Sequence, residues 1–96
     1  MEHFVYILYS QKIDRFYVGE SVNPTERVKQ HNAGFYSTAS TKITHDWVIF
    51  LAISCKSRTQ AIKFERFIKR MRTRKFYNRL KDEPEVVISL LERFSD

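Results

Sequence analysis

Two short runs dense in β-branched and aromatic residues, Val5-Tyr6-Ile7-Leu8-Tyr9 and Phe16-Tyr17-Val18-Gly19, flank a polar break at Ser10 to Asp14. Segments of this kind pair as a β-hairpin, because branched and aromatic side chains pack well on a pleated surface while the polar residues between them turn the chain. The break has no Asn-Gly or Asp-Gly pair, so the connection is expected to be longer than a two-residue turn. With Tyr6 opposite Tyr17, the register centres between Gln11 and Lys12. Side-chain alternation then puts Phe4, Tyr6 and Leu8 on one face with Tyr17, Gly19 and Ser21, so that two phenols share a face beside a gap.

The rest of the chain supplies elements to cover this hairpin. Asn23-Pro24 marks a helix start, since Asn caps free amides and Pro at the first helical position loses no hydrogen bond. Glu26 then lies near the positive end of the helix dipole. The helix is expected to run to about Asn32 and to close at Ala33-Gly34. Phe35 to His45 is polar and aperiodic, a loop long enough to be functional. Trp47 to Ile53 is a nearly continuous apolar run, expected to be a central strand buried on both faces. Ser57 or Ser54 precedes a helical pattern from about Arg58 to Met71, with Ala61, Phe64, Ile68 and Met71 at helical spacing. A break near Thr73 separates it from a further helix to about Leu80. Pro84 starts the last helix, Glu85 to Phe94, with an apolar face of Val86, Val87, Leu90, Leu91 and Phe94. The order β-β-α-β-α-α-α predicts an α/β (α+β) fold: a small three-stranded, mostly antiparallel sheet flanked by helices.

Ninety-six residues make one domain with one modest core, and eight Phe let it form without disulfides. The single cysteine, Cys55, excludes a cysteine-based zinc site, suits a reducing compartment, and reads as a small buried hydrophobe. No apolar run is long enough to span a bilayer, and the N-terminus opens on a strand rather than a leader, so the chain is expected to be cytoplasmic. Charge is unevenly placed. Lys56 to Lys81 holds eleven Lys and Arg against one acid, Glu65, whereas the other seventy residues hold six bases and ten acids. Such a block repels itself and attracts polyanions, whose condensed counterions are released on contact.

Few residues here can do chemistry. Arg27 and His31 lie four apart, on one helix face. Glu65 sits four after Ala61 and three before Ile68, near the buried edge of its helix, where carboxylates are rarely placed without a partner. Its plainer role is an ion pair with Arg or Lys on a neighbouring turn. For Tyr6 and Tyr17 the plainer role is core packing, and for His31 a surface or satisfied histidine.

The combination and order of these residues are more specific. Val5-Tyr6-Ile7, then Tyr17-Val18-Gly19, then Arg27 with His31-Asn32-Ala33-Gly34, a strand led by Asp46-Trp47, and Glu65 in a helix with Ile68-Lys69 resembles the GIY-YIG endonuclease family. It looks most like small stand-alone bacterial members, related to the N-terminal nuclease domain of excision-repair nucleases. The resemblance covers roughly residues 3 to 80. Departures are Val5 in place of the first Gly and Glu20 where repair-nuclease relatives often carry a base; Asn78 is a candidate only by type for the asparagine some branches place after the glutamate helix.

The resemblance implies divalent-metal-dependent cleavage of DNA phosphodiesters, branched or damaged DNA and a repair role included. Glu65 would ligate one Mg²⁺ or Mn²⁺, and a single carboxylate suits magnesium, which keeps much of its water shell. Arg27 would neutralise the scissile phosphate, Tyr6 and Tyr17 would place or deprotonate the nucleophile, and His31 would donate a hydrogen bond or act as base. All five are expected on one concave surface. Gly19 would let a phosphate approach closely, and Lys63, Lys69, Arg70, Arg72, Arg74 and Lys75 would contact nucleic acid. Residues 1–81 would form the nuclease-like unit, with 82–96 a C-terminal helix packed on it or on a partner chain, as in a homodimer or with an accessory protein. The alternatives are a nucleic-acid-binding module on the same scaffold without turnover, or a protein-interaction domain using the C-terminal helix.

Overall fold

A computed structural model of the protein describes residues 2–34 and 43–95, so residues 35–42 of the expected loop lie outside the described residues. The elements are β1 (His3–Ser10), β2 (Arg15–Ser21), α1 (Pro24–Asn32), β3 (Val48–Cys55), α2 (Arg58–Met71), α3 (Arg74–Asp82) and α4 (Pro84–Arg93). The order is the predicted one, and all pairings in the sheet are antiparallel. Side-chain caps start three of the helices. Asn23 accepts from the Glu26 amide, Ser57 from the Gln60 amide and Thr73 from the Phe76 amide, each satisfying a donor with no partner inside its helix.

The strand order is β2-β1-β3. This corrects the expectation that Trp47 to Ile53 forms the central strand. The centre is β1, whose Val5, Tyr6, Ile7 and Leu8 are all buried, while β3 is an edge strand with Val48 and Ile49 exposed. The continuous apolar run has another cause. Ile7 pairs with Leu51 but Leu8 pairs with Ile49, a bulge that leaves Phe50 unopposed and turns both Phe50 and Leu51 toward the main core. Beyond it β3 alternates normally, with Ile53 and Cys55 buried between exposed Ala52 and Ser54.

The two sheet faces bury different clusters. Val5, Ile7 and Val18 pack with Ala61, Phe64 and Ile68 of α2 and with Phe76, Tyr77 and Leu80 of α3. Helix α4 closes this side through Leu90, and buried Gln60 ties it down by donating to the Leu91 carbonyl at 2.7 Å. On the other face Tyr6, Leu8 and Trp47 pack with Ile13, Tyr17 and Val28, beneath α1.

The hairpin register differs by two residues from the expected one: Tyr6 pairs with Gly19 and Leu8 with Tyr17. An even shift preserves the faces, so the two tyrosines still project together. Its physical reason is the Tyr6 ring, which lies across Gly19. A Cβ built there would stand 2.5 Å from Tyr6 Oη and 2.6 Å from Cζ, so only glycine fits opposite this tyrosine. The space at Gly19 that was expected to admit a phosphate is therefore taken by the protein's own ring.

Asp46 fastens the hairpin end to the start of β3. Its carboxylate accepts from Ser10 Oγ at 2.5 Å, Thr44 Oγ1 at 2.6 Å and the Lys12 amide at 3.0 Å. These hydrogen bonds, Ser10's first, hold its pKa at about 2.

Two outcomes follow for stability. Gly19→Ala should cost about 1–3 kcal/mol in denaturant titrations, and clearly less in a Tyr6→Leu background, where the ring that meets the new methyl is gone. Because Asp46 titrates lower when folded, its contribution is complete above its ordinary value near 3.8 and is lost as pH falls through about 2. Melting curves of Asp46→Asn should accordingly lose part of the wild type's acid dependence between these values.

Candidate active site

The site is built where α1 lies over the β1–β2 face. Helical spacing sets Arg27 and His31 on one side of α1, and His31, 2% exposed, points into the sheet. Tyr6 Oη and His31 Nε2 are hydrogen-bonded at 3.2 Å. The Tyr17 ring stands edge-on to His31 with centroids 5.1 Å apart, and Trp47 backs Tyr17 at 6.5 Å. Tyr6 is itself 1% exposed, whereas Tyr17 is half-buried, so the two phenols differ in access: Tyr6 is the inner group and Tyr17 the outer one. Burial, and after it the Arg27 charge, lower the His31 pKa below its ordinary 6.5. Near neutral pH the ring is uncharged, able to hold or accept one proton through its nitrogens.

Asn32 holds this assembly in place, and residue patterns alone did not single out that role. Its side chain donates to the Trp47 carbonyl at 2.9 Å and accepts from the Trp47 amide at 2.7 Å, joining the end of α1 to the residue before β3. An Asn at a helix end reads locally as a cap, so nothing in the sequence points to a bond fifteen residues away.

Glu65 approaches from the other side. It lies on α2, which packs against the face opposite α1, so the five expected residues do not all project from one sheet face. The two sides meet around the outer edge of β2. There Phe16, Tyr17 and Val18 line a shallow cavity of about 320 Å³ with Lys69, Arg72 and Tyr77. Lys69 Nζ, in turn, holds Glu65 Oε1 at 2.9 Å. Tyr17 and Lys69, the partner of Glu65, thus line one cavity across the edge. The Glu65–Lys69 pair is also the i,i+4 partnership that the plainer role of Glu65 called for, but such pairs with an exposed lysine contribute only about 0.3–0.5 kcal/mol.

The basic residues divide among several surfaces. Lys69 and Arg72 flank Tyr17, and Arg72 ends α2 in the left-handed region at φ 47°. Lys63 and Arg70 lie further around α2 with Arg66. Arg74 is committed elsewhere: it pairs with Asp14 Oδ1 at 2.9 Å and covers the Phe16 ring at 5.3 Å, bracing α3 against the hairpin turn. Lys75 lines a different hollow with Asn78, Asp82 and Glu83. Glu20, on the α2 side of β2, is bonded to His3.

No group of three or more His, Cys, Asp or Glu side chains able to hold a metal occurs among the described residues. Glu65 offers one partly shielded carboxylate beside solvent, a donor set that fits a hard cation retaining most of its water and does not fit an all-protein cage.

A family model, the GIY-YIG catalytic domain, matches residues 2–82. No curated protein and no solved structure matches the chain.

The cluster makes a prediction that needs no substrate. Arg27→Ala should raise the His31 pKa, because a like charge is removed, and proton NMR titration of the imidazole would read this directly. A His31 titration indifferent to the substitution would detach Arg27 from the cluster.

Proposed function

The chain belongs to the GIY-YIG family, and from that premise we propose that it is a divalent-metal-dependent endonuclease hydrolysing DNA phosphodiesters at the outer edge of β2. The observation that supports this is that Tyr17, edge-on to His31, shares the edge cavity with Lys69, the ion-pair partner of Glu65. Hydrolysis bonds a water-derived oxygen to phosphorus, breaks one ester P–O bond and protonates the leaving oxygen. Each demand has a residue of suitable chemistry. Tyr17 is the phenol exposed enough to touch that oxygen. His31 and Tyr6, both buried, are positioning residues: they fix the Tyr17 ring and hold a proton in their shared hydrogen bond. Arg27, and Lys69 and Arg72 at the cavity, offset charge on the phosphate.

Glu65 would hold Mg²⁺ or Mn²⁺, which when bound activates water and compensates charge on the phosphate oxygens. For this Lys69 must leave Glu65, and the small worth of the pair makes that step easy. A shallow, open edge is the shape that duplex, branched or damaged DNA would need. The second reading, a binding module without turnover, draws on one observation: Lys69 already neutralises Glu65, as a purely structural carboxylate would require.

Plasmid nicking distinguishes them. Glu65→Gln should cut supercoiled plasmid slower by on the order of 10²-fold or more in Mg²⁺, with DNA affinity kept or raised and melting little changed. Arg27→Ala should also lose roughly 10²–10³-fold, and bind DNA more weakly. Chelator should abolish nicking by the wild type. Undiminished nicking by Glu65→Gln would remove the metal-ligand role and favour the binding module.

A further inference from the structure

The cations of α2 serve two sides of the helix. Lys69 and Arg72 face the cavity at Tyr17, whereas Lys63, Arg66, Lys69 and Arg70 line a groove of about 480 Å³ with Phe94, the residue that closes α4. Lys69 stands in both walls, so cavity and groove are separated by one side chain. Among the described residues that line the groove, all but Phe94 are cations and none is an acid. The lining's one aromatic side chain, Phe94, packs on Phe67 at 5.4 Å, and the Arg93 guanidinium lies 5.4 Å and 5.5 Å from the Phe67 and Phe94 centroids. Arg93 and Phe94 fall beyond residue 82, where the family match ends.

We infer that this α2–α4 groove is a second nucleic-acid-binding surface, holding the strand that leads away from the phosphate at the β2 edge. The inference rests on the proposed hydrolysis at that edge. Three features select the ligand. Lys69 is paired with Glu65, but Lys63, Arg66 and Arg70 have no acid beside them in the lining, and such a cluster is self-repelling and is relieved by an anionic occupant. Lys63, Arg66 and Arg70 recur every three or four residues, roughly 4.5–6 Å along the helix axis, which matches a linear polyanion better than a single phosphate. Phe94 gives a sugar or base a ring to stack on beside the cations, a combination common in nucleic-acid grooves. Sharing Lys69, the groove continues the edge cavity, so a strand lying in one passes into the other.

Fluorescence anisotropy of a labelled DNA oligonucleotide, with chelator present and across a salt series, tests the groove separately from turnover. Lys63→Gln with Arg66→Gln should reduce the slope of log affinity against log salt by about 1.4–1.8, since each phosphate left without its cation takes away about 0.7–0.9. Arg66→Lys, which keeps the charge, should keep the slope. Arg93→Glu should weaken binding at fixed salt by roughly tenfold, although it lies outside the family domain. These positions are exposed, and thermal melts would verify that the variants fold. Wild-type slope and affinity in both Gln and Glu variants would overturn the groove while leaving hydrolysis at the edge standing. A wild-type chain that binds no DNA at any salt would overturn both.

Discussion

The Tyr6 ring lying across Gly19 is the contact on which the rest of the site depends. A buried phenol needs a partner for its hydroxyl, and the space above a strand residue without a Cβ lets the ring lie flat enough to reach His31. That one contact sets the hairpin register, fixes the distance between β1 and α1, and orients the imidazole against which Tyr17 stands. Disturbing it therefore affects strand pairing and helix placement together, because a packed interior has no slack to absorb a shift.

Around this centre the protein separates support from exposure. Asn32, Trp47 and Asp46 join chain segments through hydrogen bonds that are short in space but long in sequence. On the opposite face, α2, α3 and α4 form the larger core, and Gln60 and Leu90 bring the C-terminal helix into it. At the outer edge of β2, Tyr17 from one face and Lys69 and Arg72 from the other line one cavity. An edge strand ordinarily invites pairing with other chains. Here Arg15 and Glu20 and the cations of α2 make it a polar, positively biased edge, better matched to phosphates than to another strand.

Arginine and lysine residues that look equivalent in the primary structure have unlike roles in space. Arg74 gives its charge to Asp14 and Phe16 and is a brace; Lys75 stands near acids; Lys69 is shared between Glu65, the edge cavity and the basic groove. Of these three, Lys69 alone couples the carboxylate to the surface that would receive a phosphate. A block of like charge thus identifies the class of partner without identifying which members of the block meet it.

Local rules were enough for much of this protein. Caps at Asn23, Ser57 and Thr73, the Pro84 start and the alternation of the hairpin determine the elements and their faces, because hydrogen-bond satisfaction and side-chain periodicity act over a few residues. The order of Tyr6, Tyr17, Arg27, His31 and Glu65 likewise marked the family. Three things were decided only in three dimensions. The hairpin slid by two residues because of the Tyr6 ring, a contact between strands that alternation cannot distinguish from its neighbours two residues away. The run at Trp47 to Ile53 pairs with β1 alone and is an edge, its unbroken apolar pattern coming from a bulge that turns Phe50 and Leu51 inward rather than from burial on both faces. Glu65 lies on the helix that covers the sheet face opposite the tyrosines, since periodicity assigns a side of a helix but only packing decides which side of the sheet that helix covers.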